Sequence, residues 1–324
     1  MKATITACAN LALIKYWGNS DDILNLPIND SISVSLEALQ TTTTIEFSEN
    51  HSDTIELNGQ QIDEQGLNRF KQVLDFFRKT TNFNTPVKII SRNNFPTSAG
   101  IASSASGFGA LAHALYEASD IDYNRNDVSS LARIGSGSAS RTIISGFAHW
   151  QKGNSHENSF ASQILAPNDM KILIIITSKV PKSISSKSAM LKSKTSSPFF
   201  KQRGDIANSH IPELKDAIIN WNFEKVGNIT QKEANNLHAV INTTDLGIYY
   251  WNETTINIIH KIKDLQDRGH QVYYTIDAGP QVKILLNKDE IELVTSELKS
   301  VNEIQDIIIS NVGFGSKPTN EHLF

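Results

Sequence analysis

Apolar and polar positions alternate in short blocks through the first third of the chain. The period-two runs at 34–36 and 41–47 predict strands, and 53–57 leads into Asn58-Gly59, a pair that accepts positive φ and suits a tight hairpin turn. Residues 67–77 instead carry apolar positions at helical spacing. A strand pattern returns at 87–90, and small residues after Gly100 predict a further helix. Residues 171–177 hold the run Ile-Leu-Ile-Ile-Ile, which lacks polar alternation and fits a strand buried on both faces. Helical spacing follows at 211–220, 222–237 and 255–267, then strands at 271–276, 282–286 and 304–309. The Ser- and Lys-rich stretch 178–197 is expected from composition to be a mobile surface loop.

A first half of strands, a glycine-bearing turn and a helix, followed by an α+β second half, divides the chain into 1–168 and 169–324. Its 324 residues suit two packed lobes. With 39% hydrophobic and 20% charged residues, the composition is that of an ordinary globular protein. A net charge of -4 provides no global field for nucleic acid, so an anionic ligand must be held by locally placed cations and amides. The single cysteine, Cys8, excludes an internal disulfide and reads as a small apolar strand residue, in keeping with a reducing cytoplasm. No apolar run approaches the about 18 residues needed to cross a bilayer, and the N-terminal residues lack a signal-peptide pattern. A cytoplasmic protein without membrane or nucleic-acid partners is expected.

Candidate chemistry lies in two clusters. In 94–106, Asn-Phe-Pro-Thr-Ser-Ala-Gly-Ile-Ala-Ser-Ser-Ala-Ser, glycine permits close backbone approach, the amides of a helix start face outward and serine hydroxyls add donors. This is neither a Gly-Lys-Ser/Thr loop nor a Gly-x-Gly-x-x-Gly turn. Small-residue helix starts also occur where helices pack closely, and both readings stay open on this segment alone. The second cluster, 135–141, is Gly-Ser-Gly-Ser-Ala-Ser-Arg, in which a flexible backbone carries hydroxyls and a guanidinium suited to bidentate anion binding; a Ser-Gly loop with a surface arginine is the other reading of the same residues. Asp277 ends an apolar strand and precedes Ala-Gly-Pro, a turn that can present its carboxylate at a cleft, although an aspartate that merely starts a turn is common and that reading also stays open on this segment alone.

These clusters, with the block 9–18 (Ala-Asn-Leu-Ala-Leu-Ile-Lys-Tyr-Trp-Gly), residues 146–150 (Gly-Phe-Ala-His-Trp) and 277–280 (Asp-Ala-Gly-Pro), resemble the diphosphomevalonate decarboxylase family of the GHMP kinase superfamily. The resemblance implies an α+β, two-lobed GHMP-kinase-like fold with mixed and antiparallel sheets and a deep cleft between an N-terminal ATP-binding domain and a C-terminal α+β domain. It implies ATP and magnesium, and conversion of mevalonate 5-diphosphate to isopentenyl diphosphate, carbon dioxide, ADP and phosphate by a cytoplasmic homodimer. It further implies that Asp277, Arg141 and Lys15 are catalytic and that Tyr16, Asn10, Ser136, Gly137, Ser138, Ser186 and Lys187 bind substrate. Pro96, Gly100, Ser103, Ser104 and Ser106 would hold ATP, with Ser104 also reaching the metal. His238 and Trp17 are expected to be packing residues. Two positions depart from the family pattern on the phosphate side: Asn19 replaces a lysine, and Lys187 an arginine. Three alternatives remain open at this point: a decarboxylase of mevalonate 5-phosphate, a small-molecule kinase that stops after phosphorylation, and a non-catalytic nucleotide-binding or RNA-associated module.

Overall fold

In the computed structural model, which describes residues 1–49, 52–62, 64–95, 103–167, 169–180 and 182–324, the alternating N-terminal patterns become one mixed eight-stranded sheet. Lys2–Ile14 and Ser31–Phe47 are its long antiparallel centre. Val87–Asn93 extends it on one side and Ser316–Pro318 on the other, so the last strand of the chain returns to the first sheet. Thr54–Leu57 and Gln60–Gln61 form the expected hairpin, with Asn58 at φ 52° and Gly59 at φ 78° in its turn.

The expected strands 34–36 and 41–47 are one strand, interrupted in register rather than by a turn. Cys8 pairs with Gln40 and Ala9 with Leu36, which leaves 37–39 outside that pairing. This irregularity turns the first strand over: Ala3, Ile5 and Ala7 pack in one core, whereas Ala9, Leu11 and Leu13 pack in another. An unbroken strand would keep all six on one face. The even-numbered Asn10 and Ala12 are consequently left lining a cleft.

Helices Glu64–Thr81, Ser103–Ser119 and Arg125–Gly135 cover one face of this sheet. The second sheet is antiparallel and four-stranded, in the order Val272–Ile276, Val282–Leu286, Lys171–Ile176, Asp306–Asn311. Its central strand explains the unalternating isoleucine run. Ile172, Ile174 and Ile176 face a core shared with the first sheet, while Leu173 and Ile175 face an outer core under helices Glu253–Asp267 and Ile291–Leu298.

Between the sheets lie helices Phe200–Ile219 and Phe223–Asn242. The first begins eleven residues before the expected 211 and runs through Pro212. A proline inside a helix costs about 3 kcal/mol. Ala207, Ile211, Leu214, Ala217 and Ile218 are buried along the same helix, and burying each large aliphatic side chain contributes about 1.5–3 kcal/mol, so packing outweighs the break. The second helix approaches its sheet closely, since a Cβ at Gly227 would stand 2.1 Å from the Tyr273 ring.

The stretch expected to be a mobile loop contains the helix Ser186–Ser196. Ser185 caps it by accepting the Ser188 N–H, Ala189 and Ser193 are buried, and Ser193 accepts the Trp17 indole N–H at 3.1 Å. Composition misled because lysine is a good helix former and serine a good cap.

Candidate active site

Both sheets deliver a charged residue to the same place. The first strand runs directly into Lys15, and Val272–Ile276 ends at Asp277. Lys15 Nζ lies 2.8 Å from Asp277 Oδ1 and also donates to the Ala12 carbonyl at 2.6 Å. Lys283, from the buried strand Val282–Leu286, approaches Asp277 Oδ2 at 3.2 Å. Burial alone would raise the Asp277 pKa, but the charges and hydrogen bonds of Lys15 and Lys283 outweigh it and hold the carboxyl well below its usual range. Asp277 is therefore ionised and weakly basic. Its side chain remains 31% exposed, toward the cleft.

That cleft has a volume of about 520 Å³. Lys15, Arg69, Arg141, Lys182 and Lys187 outnumber Asp22 and Asp277 on its walls, which favours polyanions. Arg141 projects from the 3-10 turn Gly137–Ile143, donating to Ser31 Oγ and, through Nε and Nη2, to Asn10 Oδ1 at 3.4 and 3.3 Å. Asn10 in turn donates to the Ser138 carbonyl at 3.0 Å, which locks the turn against the first strand. Burial pulls Arg141 down to about 10, with Asp277 and Tyr16 opposing, so it keeps its charge at neutral pH.

Gly137 leaves room for Tyr16, whose ring a Cβ would meet at 2.7 Å. The Tyr16 hydroxyl donates to Asn19 Oδ1, Asn19 donates to Asn25 Oδ1 at 3.3 Å, and Asn25 donates to the carbonyls of Arg133 and Ile134. Ser136 Oγ stands 3.3 Å from both Ser104 Oγ and Ser138 Oγ, so the two serine clusters meet in one line of hydroxyls. Ser103 and Ser104 open their helix at the cleft wall, where helix-start amides favour negative charge.

Ser186 and Lys187 reach the cleft from the start of Ser186–Ser196. Ser106 does not reach it. This side chain is fully buried, bonded to Thr41 Oγ1 at 2.6 Å and to the Ser103 carbonyl, because its place on the helix faces the sheet. Pro96 and Gly100 lie outside the described residues.

Several site residues escaped the sequence reading. Lys182 donates to Ser186 Oγ at 2.7 Å and to the Ala278 carbonyl at 3.0 Å. Burial pushes it down to about 8, with Lys283 adding to the shift and Asp277 opposing it. Lys283 had one available signal, a lysine inside an otherwise apolar strand. Behind Lys15, Glu233 accepts from Arg203 at 2.8 Å and pairs with His210 at 2.8 Å, with Arg203 and Glu233 fully buried. Nothing in their helical spacing marks them out. His238 packs on Trp251, as expected of a core residue, but also reaches the Asp277 carbonyl at 3.1 Å.

Comparison with known proteins gives concordant matches. Residues 7–161 match the diphosphomevalonate decarboxylase-like N-terminal domain, and residues 172–319 the mevalonate 5-diphosphate decarboxylase C-terminal domain. The diphosphomevalonate decarboxylase of Gibberella zeae is 33% identical over 318 residues, covering 90% of this chain and 83% of the relative. Among solved structures, mevalonate diphosphate decarboxylase from Staphylococcus aureus superposes with a TM-score of 0.93 at 32% identity, over 98% of each chain. Another, in complex with MVAPP, AMPPCP and magnesium, has a TM-score of 0.92 at 32% identity, covering 98% of this chain and 99% of that one.

Proposed function

The chain belongs to the diphosphomevalonate decarboxylase family and catalyses the ATP-dependent decarboxylation of mevalonate diphosphate, and we propose that Asp277, Lys15 and Arg141 carry the chemistry in the cleft between its sheets. The observation that carries this reading is the Asp277 carboxylate clasped by Lys15 and Lys283, facing a cavity whose other walls are cationic and hydroxyl-rich.

A tertiary hydroxide is a poor leaving group. Transfer of the γ-phosphoryl group to that oxygen breaks the group's bond to ADP and the hydroxyl O–H, the proton passing to a phosphate oxygen; the oxygen can then depart as phosphate, while the carbon–carboxylate bond supplies the electron pair of the new double bond and carbon dioxide leaves. Asp277 is too weak a base to ionise the hydroxyl beforehand. It accepts the hydroxyl's hydrogen bond, orients the oxygen for transfer and stabilises the positive character that grows on carbon as phosphate departs. Arg141, held by Asn10 and Ser31, offers its remaining N–H groups to the substrate carboxylate. Lys15 neutralises charge at the reacting oxygen. Tyr16, Ser136, Gly137, Ser138, Ser186 and Lys187 hold the diphosphate end.

For ATP, the helix start at Ser103 and Ser104, which lines the cleft, suits the triphosphate, with Pro96 and Gly100 as further contacts in our reading. Among the described residues no cluster of acidic, histidine or cysteine side chains could hold a metal alone. Serine hydroxyl oxygen suits a hard cation, so Ser104 would join phosphate oxygens around magnesium. Magnesium, when bound, neutralises phosphate charge. We also read 1–168 and 169–324 as the two domains, with Ser316–Pro318 returning to the first sheet, and the active form as a cytoplasmic homodimer. Among the described residues no helix is long and apolar enough to cross a membrane.

Purified protein with ATP, magnesium and mevalonate 5-diphosphate is expected to release carbon dioxide and ADP in equal amounts. ADP without carbon dioxide would sink the phosphorylate-then-eliminate reading. A parallel arm with mevalonate 5-phosphate measures how far Asn19 and Lys187 still discriminate by phosphate count, and a large preference for the diphosphate is expected.

Lys182, which lines the cleft and is lowered by burial to about 8, is expected to set an alkaline limit on this reaction. Only its protonated form attracts phosphate, so kcat/KM is expected to fall above pH 8, approaching about tenfold per pH unit. Lys182→Arg should move that limb to higher pH. An unchanged profile in this variant assigns the limb to another group.

A further inference from the structure

Lys15 and Asp277 come from different sheets, so their 2.8 Å contact requires the sheets to be fixed relative to one another. The helix Phe223–Asn242 lies between them, packed on both Lys2–Ile14 and Val272–Ile276. From this helix Glu233 Oε2 accepts the main-chain N–H of Lys15 at 3.3 Å. Arg203, paired with Glu233, donates to the Lys15 carbonyl at 2.9 Å. Five positions along from Glu233, His238 Nε2 meets the main-chain carbonyl of Asp277 at 3.1 Å. A carbonyl only accepts, so the proton of the neutral imidazole is on Nε2.

The opposite nitrogen, His238 Nδ1, is buried and has no hydrogen-bond partner among the described residues. A leucine would fill this site without an orphaned acceptor, so packing does not explain the imidazole, whereas its bond to Asp277 does. Glu233 is likewise more than filler. Both carboxylate oxygens are engaged, by His210 on one side and by Arg203 and the Lys15 amide on the other.

We propose that Glu233 and His238 are positioning residues, and that the helix bearing them sets the Lys15 to Asp277 separation by gripping the main chain of each. The inference rests on the roles given above to Lys15 and Asp277. A displacement of about 1 Å at a reacting centre can lower the rate about a hundredfold, so such a spacer acts on kcat. ATP is held by other elements, and its KM is not expected to move.

The test compares His238→Leu, which cannot donate, with His238→Gln, which keeps a terminal N–H. With rates normalised to titrated active sites, His238→Leu is expected to lower kcat by about tenfold to a hundredfold at unchanged KM for ATP, and His238→Gln to recover most of the loss. Wild-type kcat in His238→Leu, or equal losses in both variants, overturns the proposal. If His238→Leu does not fold, the double variant Arg203→Met with Glu233→Met exchanges the buried pair for apolar side chains, a swap that buried pairs often tolerate. It is expected to lose kcat in the same way, and wild-type kcat there is equally fatal. Asp277→Asn serves as the control: retained turnover in that variant indicts the site reading, while its loss together with a normal His238→Leu indicts the spacer alone.

Discussion

Replacing Asp277 with asparagine is expected to cut turnover by about a thousandfold while ATP still binds, because the substitution removes charge from the reacting centre with little change of shape. In the wild-type protein the carboxylate answers two lysines, at 2.8 and 3.2 Å. With asparagine those lysines remain, and the carbon that loses phosphate develops positive character beside uncompensated positive charge. The field is then reversed as well as weakened. Labelled carbon dioxide release measures turnover, and calorimetry with a non-hydrolysable ATP analogue measures binding. Turnover within tenfold of wild type removes Asp277 from the mechanism.

The same variant carries a stability effect of definite sign. Removing one partner of a fully buried pair costs about 3–5 kcal/mol, but the Asp277 side chain is 31% exposed and solvent screens it, so the cost should fall well below that range. The folded-state pKa of Asp277 is depressed. Its contribution to stability is therefore present above the unfolded carboxylate value of about 4, and is lost as pH falls through the folded value. The Tm gap between wild type and Asp277→Asn is expected to be widest near neutral pH and to close in acid. A gap that widens in acid contradicts the ion-pair account.

What the sequence reveals and what it conceals divide along physical lines. Ser136, Ser138, Arg141 and Asp277 stand on a glycine-bearing turn and at a strand end, where local pattern singles them out, whereas Lys15 and Tyr16 are marked only by the family resemblance of the block around them. All six line one cleft. Lys283, Lys182, Glu233 and Arg203 matter because of what they face across element boundaries, and periodicity carries no such information. Ser106 shows the converse error: it shares composition with Ser103 and Ser104, but its position on the helix sends it to Thr41. In the fold, the isoleucine run at 172–176 was readable because both strand faces are covered. The helix through Pro212 and the reversal of faces after Cys8 were not, since tertiary packing overrides local preference at both.

Arg141→Lys is expected to lower kcat/KM by about a hundredfold, although it preserves formal charge. The guanidinium spends Nε and part of both terminal nitrogens on Asn10 and Ser31, which fixes its plane while N–H groups remain for the substrate carboxylate. A lysine ammonium has three donors and no fixed plane, so satisfying Asn10 and Ser31 leaves it without a two-point grip on the substrate. Burial compounds the loss. It already brings Arg141 down to about 10, and a lysine at the same depth starts from a lower ordinary value, so part of its population loses charge within the working pH range. The deficit of Arg141→Lys should therefore deepen from pH 6 to pH 8, whereas a purely geometric loss would stay constant. A variant within threefold of wild-type kcat/KM across that range shows that the carboxylate is held by something other than the guanidinium fork.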